Sequence, residues 1–230
     1  MRKPTLLLCL LSVVLFTACP LTAAAETSAT KWEQAIQDFE ASDKKLPPPA
    51  GAALFIGSST IRMWKNLDKD FPGIPIINRG FGGSQISDSV TYIERIVLPY
   101  KPKAIFFYAG GNDLASGKAP EAIAADFKTF VEKIRVKMPE VPIVWIEQGP
   151  SPSRWSQADK QKKLNQLVLD YTKTQPKLDY SKGWDEFLGA DGKPRSEFFL
   201  PDKLHNNPEG YKVRIDLIRP YVEKYMKSGK

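Results

Sequence analysis

Ala53-Leu54-Phe55-Ile56-Gly57-Ser58-Ser59-Thr60 runs four apolar residues straight into a glycine and two serines. A short apolar run bounded by a turn residue has the pattern of a buried strand. Gly57 allows the tight turn that ends it. Ile61, Trp64 and Leu67 then recur at helical spacing, which puts Ser58 and Ser59 on a strand-to-helix turn. In α/β sheets the carboxyl ends of the strands are where ligands bind. The free N–H groups that open the next helix favour negative charge there. Alone, Gly-Ser-Ser is also an ordinary turn with a serine cap, so the rest of the chain has to decide between chemistry and punctuation.

Outward from this stretch the pattern repeats. Upstream, Trp32, Ile36 and Phe39 mark one helix face. Pro47-Pro48-Pro49 closes that segment, because three prolines neither continue a helix nor donate. Downstream, apolar runs at 74–77, 104–108 and 141–146, with a weaker one at 178–180, predict four more strands. Helical faces lie between and after them: Ile86, Val90, Ile93 and Val97, then Ile123, Phe127, Phe130, Ile134 and Met138, then Leu164, Leu167, Val168 and Tyr171. A last helix presents Tyr211, Ile215, Ile218 and Val222, with Asn207 as N-cap and Pro208 at the first helical position. Strands alternating with helices of this length mean βαβ units and a parallel sheet. Right-handed crossovers make that an α/β fold, a three-layer α/β/α sandwich. Every glycine-rich or polar motif follows a strand, so all of them fall along one sheet edge.

The 230 residues suit one domain with a sizeable core, and no repeat, charge block or low-complexity tract marks a second. Arg2 and Lys3, an apolar run over 6–16 and Ala23-Ala24-Ala25 predict a signal peptide at 1–25, cleaved after Ala25. Two alternatives stand beside it. One is a lipoprotein signal lipidated at Cys19, although Phe16 fits the first lipobox position poorly. The other is an uncleaved anchor, for which the run is short. Residues 26–50 are then an N-terminal helix with a Pro-rich lead-in, and 51–230 the main domain. Cys9 and Cys19 are the only cysteines, so a chain starting at Glu26 has no disulfide, cysteine nucleophile or thiolate metal site. Loss of Arg2 and Lys3 lowers the formal charge from +7 to +5. No basic run interleaved with aromatics argues for nucleic acid. The mild excess is a solvated surface, or a weak attraction to acidic glycans or anionic lipid headgroups.

His205 is the one histidine, in Pro201-Asp202-Lys203-Leu204-His205. An Asp three residues before it can reach Nδ1 within one loop, fix the tautomer and stabilise an imidazolium, leaving Nε2 for a serine hydroxyl. The plain alternative is a surface His beside an unrelated Asp. Acyl transfer also needs oxyanion donors. Gly80-Phe81-Gly82-Gly83 after the second strand can present backbone N–H groups, and Asn112 after the third offers an amide, though both motifs are also common turns.

Together these weak signals have an order. Gly57-Ser58-Ser59, Gly83 in Asn78-Arg79-Gly80-Phe81-Gly82-Gly83, Asn112 in Gly110-Gly111-Asn112-Asp113, and Asp202-Lys203-Leu204-His205 resemble the four blocks of the SGNH (GDSL) hydrolases, over about residues 51–222. The resemblance implies a flavodoxin-like parallel five-stranded sheet. It implies Ser59 as nucleophile and as a backbone N–H donor to an oxyanion hole completed by Gly83 and the Asn112 amide. His205 becomes general base and then acid, with Asp202 orienting it. Ser58 stands where the family name has Asp, as in relatives sharing Gly-Ser-Ser-x-Ile-Arg-x-Trp, and Ser59 occupies the nucleophile's position in the block. Asp113 is expected to be structural, bonded back to the first block.

The implied function is an exported serine esterase, periplasmic or secreted, that needs no metal or organic cofactor. The chain resembles platelet-activating-factor acetylhydrolase-like and acetylxylan-type members, which favours short acyl groups and an O-acetyl carbohydrate or other small ester as partner. A membrane partner follows only from lipidation at Cys19. Trp64, Trp155 and Trp184 are candidates to stack on sugar rings, with packing as the other reading. The alternatives are a lysophospholipase or acyl-thioesterase of the same family and a catalytically inactive glycan-binding relative. A flavin- or nucleotide-binding protein is disfavoured, because the first turn is too short to cradle phosphate.

Overall fold

The computed structural model describes residues 31–227. The expected signal peptide and Cys19 lie outside them.

Five parallel strands form one sheet in the order β2-β1-β3-β4-β5, with β1 Ala53–Gly57, β2 Ile76–Gly80, β3 Ala104–Tyr108, β4 Ile143–Ile146 and β5 Leu178–Ser181. This is the flavodoxin-like order, whose switch point lies between β1 and β3. The central strands are buried on both faces, as a parallel sheet covered by helices requires. Leu54, Ile56, Ile105 and Phe107 join one core, and Ala53, Phe55, Ala104 and Phe106 the other. On the first side Phe107 packs against Phe127, Phe130 and Trp145. On the second, Phe55 stacks on Phe106 with ring centroids 4.6 Å apart.

Helix α1, Glu33–Lys45, precedes the sheet. It is fastened by an apolar face, where Ala35 and Phe39 pack beside Ile36, and by charge. Arg95 pairs with Glu33 and Glu40, and Asp43 pairs with Arg79 of β2 and accepts from the Tyr100 hydroxyl. Ile36 is its one fully buried side chain. Just before it, Trp32 stands edge-on to Phe81, 5.7 Å between centroids.

The expected helix through Ile61, Trp64 and Leu67 is two short ones, α2 Ser59–Arg62 and α3 Leu67–Asp70. The three apolar residues are buried all the same. The chain folds back so that Trp64 Nε1 donates to Asp70 Oδ2 at 2.7 Å. The expected helix over Ile86–Val97 likewise divides at Tyr92 into α4 Ile86–Thr91 and α5 Ile93–Ile96. Strand β2 starts after Pro75 and continues through Asn78 and Arg79, whose polar side chains find partners inside the fold. β4 starts after Pro142, which accepts from Ile105 N but has no N–H to extend the ladder.

The remaining long helices follow the expected faces: α7 Pro120–Lys137, α8 Ala158–Thr172 and α9 Pro208–Val222, after the short α6 Gly111–Ala115. Asn207 caps α9, accepting from Gly210 N at 3.0 Å. Among the described residues no helix is long and apolar enough to cross a membrane.

Candidate active site

Three strand ends and one loop meet at the carboxyl edge. Gly57 closes β1 at φ 144°, and a Cβ there would lie 1.9 Å from the Tyr108 carbonyl oxygen on the neighbouring strand. Only glycine fits so close an approach. Ser59 is thereby set at the start of α2, where its N–H has no partner inside the helix. The short helix is held at its carbonyls: Asn78 Nδ2 donates to Ile61 O at 2.8 Å, and the Tyr211 hydroxyl to Thr60 O at 2.8 Å. These bonds take the play out of the turn that carries the serine.

His205 Nε2 lies 2.9 Å from Ser59 Oγ, and His205 Nδ1 lies 2.7 Å from Asp202 Oδ2. The other Asp202 oxygen accepts from Leu204 N at 2.9 Å and His205 N at 3.0 Å. Burial pushes the Asp202 carboxyl up. The bonds from the His205 ring and the two backbone N–H groups outweigh it and hold the carboxyl at about 2. An ionised Asp202 only accepts, so Nδ1 carries the proton and the Nε2 lone pair is left for the Ser59 hydroxyl. The loop is pinned by Leu200 N to His205 O at 2.8 Å and by Ser153 N to Lys203 O at 3.0 Å. Ser58 is buried, and its backbone N–H donates to Tyr108 O at 3.0 Å.

Gly83 sits at φ 85° in the turn after β2, a conformation suited to glycine. Asn112 lies in the first turn of α6, and its Nδ2 donates to Ser84 O at 3.0 Å while Oδ1 accepts from Arg154 Nη2 at 2.8 Å. The amide is thus fixed from both ends beside the Gly83 turn. One of its two N–H groups goes to Ser84, which leaves the other for a substrate.

Asp113 corrects an expectation. Its carboxylate takes the Ile86 N–H at 3.2 Å, so it ties the third block to the helix after the second block, not to the first. It is fully buried, and burial pushes it up to about 6, opposed by that N–H and by Lys118. The folded value exceeds the unfolded carboxylate's value of about 3.9, so the unfolded chain gives up its proton first. This contribution to stability is therefore present below pH 4 and lost as pH rises towards 6. Asp113→Asn keeps an acceptor for Ile86 and removes the titration. Its free energy of unfolding, from urea titration, should fall less than wild type's between pH 4 and 7, by on the order of 2 kcal/mol.

The cavity beside Ser59 and His205 measures about 30 Å³ and is also lined by Tyr108, Asn112, Gln148, Arg154, Gln161 and Arg214. The last four were not anticipated. Gln148 and Arg154 follow β4, and the rule that ligands gather at strand ends applied to that loop as well. The tryptophans divide. Trp64 is core, packed against Phe55, Phe71 and Tyr211. Trp184 is buried and stacks on half-buried Trp155 at 6.4 Å. Among the described residues no cluster of His, Cys, Asp or Glu is placed to hold a metal ion.

Fold and family together define an ester-hydrolysing serine hydrolase. More narrowly, the chain belongs to the GDSL-like lipase/acylhydrolase family, whose model matches residues 57–213. No curated protein matches it. Among solved structures it is similar to a proposed platelet activating factor from Streptococcus pneumoniae, with TM-score 0.74 and 18% identity over 84% of this chain and 93% of that one. It is also similar to a GDSL-like lipase from Bacteroides thetaiotaomicron, with TM-score 0.70 and 18% identity over 82% and 97% of the two chains. A carbohydrate esterase family 3 member from Talaromyces cellulolyticus gives TM-score 0.61 and 16% identity over 78% and 100%. These likenesses concern the fold.

Proposed function

We propose that this chain is an exported serine esterase that releases short acyl groups, acetyl above all, from carbohydrate or other small alcohols. Ser59 Oγ attacks the ester carbonyl while His205 Nε2 takes its proton. The oxyanion is met by the N–H groups of Ser59 and Gly83 and by the Asn112 amide. His205 then returns the proton to the departing alcohol, leaving an acyl-enzyme on Ser59. Water, deprotonated by the same imidazole, hydrolyses it. Asp202 keeps the ring oriented throughout. The leader at 1–25, cleaved after Ala25, supports export, with lipidation at Cys19 as the alternative route to a membrane surface.

The observation that carries the short-acyl reading is a Ser59–His205–Asp202 string opening on a cavity of only about 30 Å³. One water needs roughly 10–15 Å³ on such a measure, so the space suits a methyl group and not a long chain. A p-nitrophenyl ester series from acetate to palmitate tests it: kcat/KM should be highest at acetate and fall with each added length. Faster turnover of the decanoate than of the acetate overturns it.

One observation favours the lysophospholipase or acyl-thioesterase alternative. Leu200 and Asn206, either side of the Asp202–His205 loop, line a second depression of about 390 Å³ together with Met63, Trp64, Tyr211 and Ile215. A long chain lying there would reverse the series.

A further inference from the structure

Two arginines line the catalytic cavity, and no carboxylate does. Arg154 and Arg214 form no ion pair among the described residues. Arg214 is 5% exposed, and its neighbours are neutral: Asn206 Oδ1 accepts from Nε at 2.6 Å, and the Tyr108 hydroxyl from Nη2 at 3.2 Å. Its guanidinium also lies 4.5 Å from the Tyr108 ring centroid and 5.0 Å from that of Phe187. Arg154 gives one N–H to Asn112 Oδ1, and burial holds its guanidinium below the ordinary arginine value. Buried cations are ordinarily paired, because desolvation without an opposite charge is unfavourable. A third group in the cavity is also unspent: Gln161 is 3% exposed, and its Oε1 has no hydrogen-bond partner.

A positive, acceptor-bearing pocket with no anion of its own is complementary to a ligand that brings one. The oxyanion brings a single, transient negative charge and already has its N–H donors. The acyl part is no source either, because a space of about 30 Å³ takes a methyl group and acetyl carries no second carboxylate. Arg154 lines the cavity but is only partly buried, so an alcohol too large for the cavity still reaches its exposed edge. We infer that the alcohol part of the substrate carries a carboxylate, bound by the Arg154 guanidinium in the field of Arg214, so that the ester is an O-acetylated sugar acid. This rests on the acetylesterase reading above and narrows its substrate class.

The test compares mono-O-acetyl-glucuronic acid with mono-O-acetyl-glucose, which differ in the carboxylate alone, and follows acetate release by wild type and by Arg154→Gln. Wild type should prefer the acidic sugar by about 10- to 100-fold in kcat/KM, mostly through KM, as a charge-assisted bidentate contact implies. Arg154→Gln should erase that ratio, and Arg154→Lys, which keeps the charge but not the fork, should restore part of it. Loss of the Asn112 contact lowers kcat on both substrates alike, so the ratio isolates the carboxylate. Equal turnover of the two sugars by wild type, or an unchanged ratio in Arg154→Gln, overturns the inference and leaves Arg154 as a positioning residue for Asn112. Should the variants not fold, the wild type still decides it. Free glucuronate should inhibit p-nitrophenyl acetate hydrolysis competitively and far better than glucose, and equal inhibition refutes the proposal. An enzyme inert towards p-nitrophenyl acetate as well would instead refute the esterase reading on which it rests.

Discussion

Ser59→Ala is expected to abolish ester hydrolysis, with kcat falling by about 10⁶, as for serine nucleophiles whose partner base cannot act alone. The expectation rests on one distance, 2.9 Å from Ser59 Oγ to the only imidazole in the chain. The neighbouring serine is the internal control. Ser58 is buried, and its backbone, not its hydroxyl, makes the contacts that shape the turn. Ser58→Ala should therefore retain most activity. Steady-state kinetics on p-nitrophenyl acetate, with circular dichroism to confirm folding, checks both. A reversed outcome would move the nucleophile by one residue and dismantle the role given to His205.

Asp202→Asn is expected to lower kcat by about 10⁴, the magnitude of the same change in the serine protease precedent. The geometry says why relaxation would not rescue it. One Asp202 oxygen is fixed by the N–H groups of Leu204 and His205, so an asparagine must keep its carbonyl oxygen there. Its NH₂ then faces His205 Nδ1 and donates to it. The ring is driven into the tautomer with hydrogen on Nε2, which cannot accept the Ser59 proton. Rotating the amide would set NH₂ against two N–H donors. A variant that keeps near-normal kcat would show that Asp202 does not select the tautomer.

Much of this architecture was legible because burial leaves a periodic trace. Phe106 and Phe107 face opposite cores from adjacent positions, and an unbroken apolar run is how a strand covered on both faces is written. Three of the four polar blocks were legible for a complementary reason: each follows a strand, and parallel strands bring their carboxyl ends to one edge, where the loop carrying Asp202 and His205 meets them. Backbone continuity was not legible. Ile61, Trp64 and Leu67 keep helical spacing and are all buried, yet the helix stops at Arg62 and the chain folds back, with the Trp64 indole donating to Asp70. Apolar spacing records which side chains are inside, not whether the hydrogen-bond ladder between them is intact. Arg79 hid the end of β2 in the same way, since a buried arginine reads as surface until Asp43 and Tyr100 are seen beside it. Arg154 and Arg214 were missed because a basic residue in a polar loop or on a helix carries no local sign of lacking a carboxylate.

Helix α1 joins the domain through Ile36, the partly buried Ala35 and Phe39, and a set of charges, and those charges are of two kinds. The Arg95 pairs with Glu33 and Glu40 are about one-third exposed and therefore open to screening, whereas Asp43 and Arg79 are more enclosed. Added salt is therefore expected to loosen the Glu33 end of α1 before the Asp43 end. Those first turns adjoin Trp32, whose ring meets Phe81 and lies 3.3 Å from the position a Cβ would take on Gly83. In the language of native-state exchange, this end of α1 is expected to open at lower free energy than the rest of the helix, and the residue before it backs the Gly83 turn. Ionic strength is therefore expected to act on the Gly83 turn from outside the substrate cavity, through fraying of a helix that lines none of it.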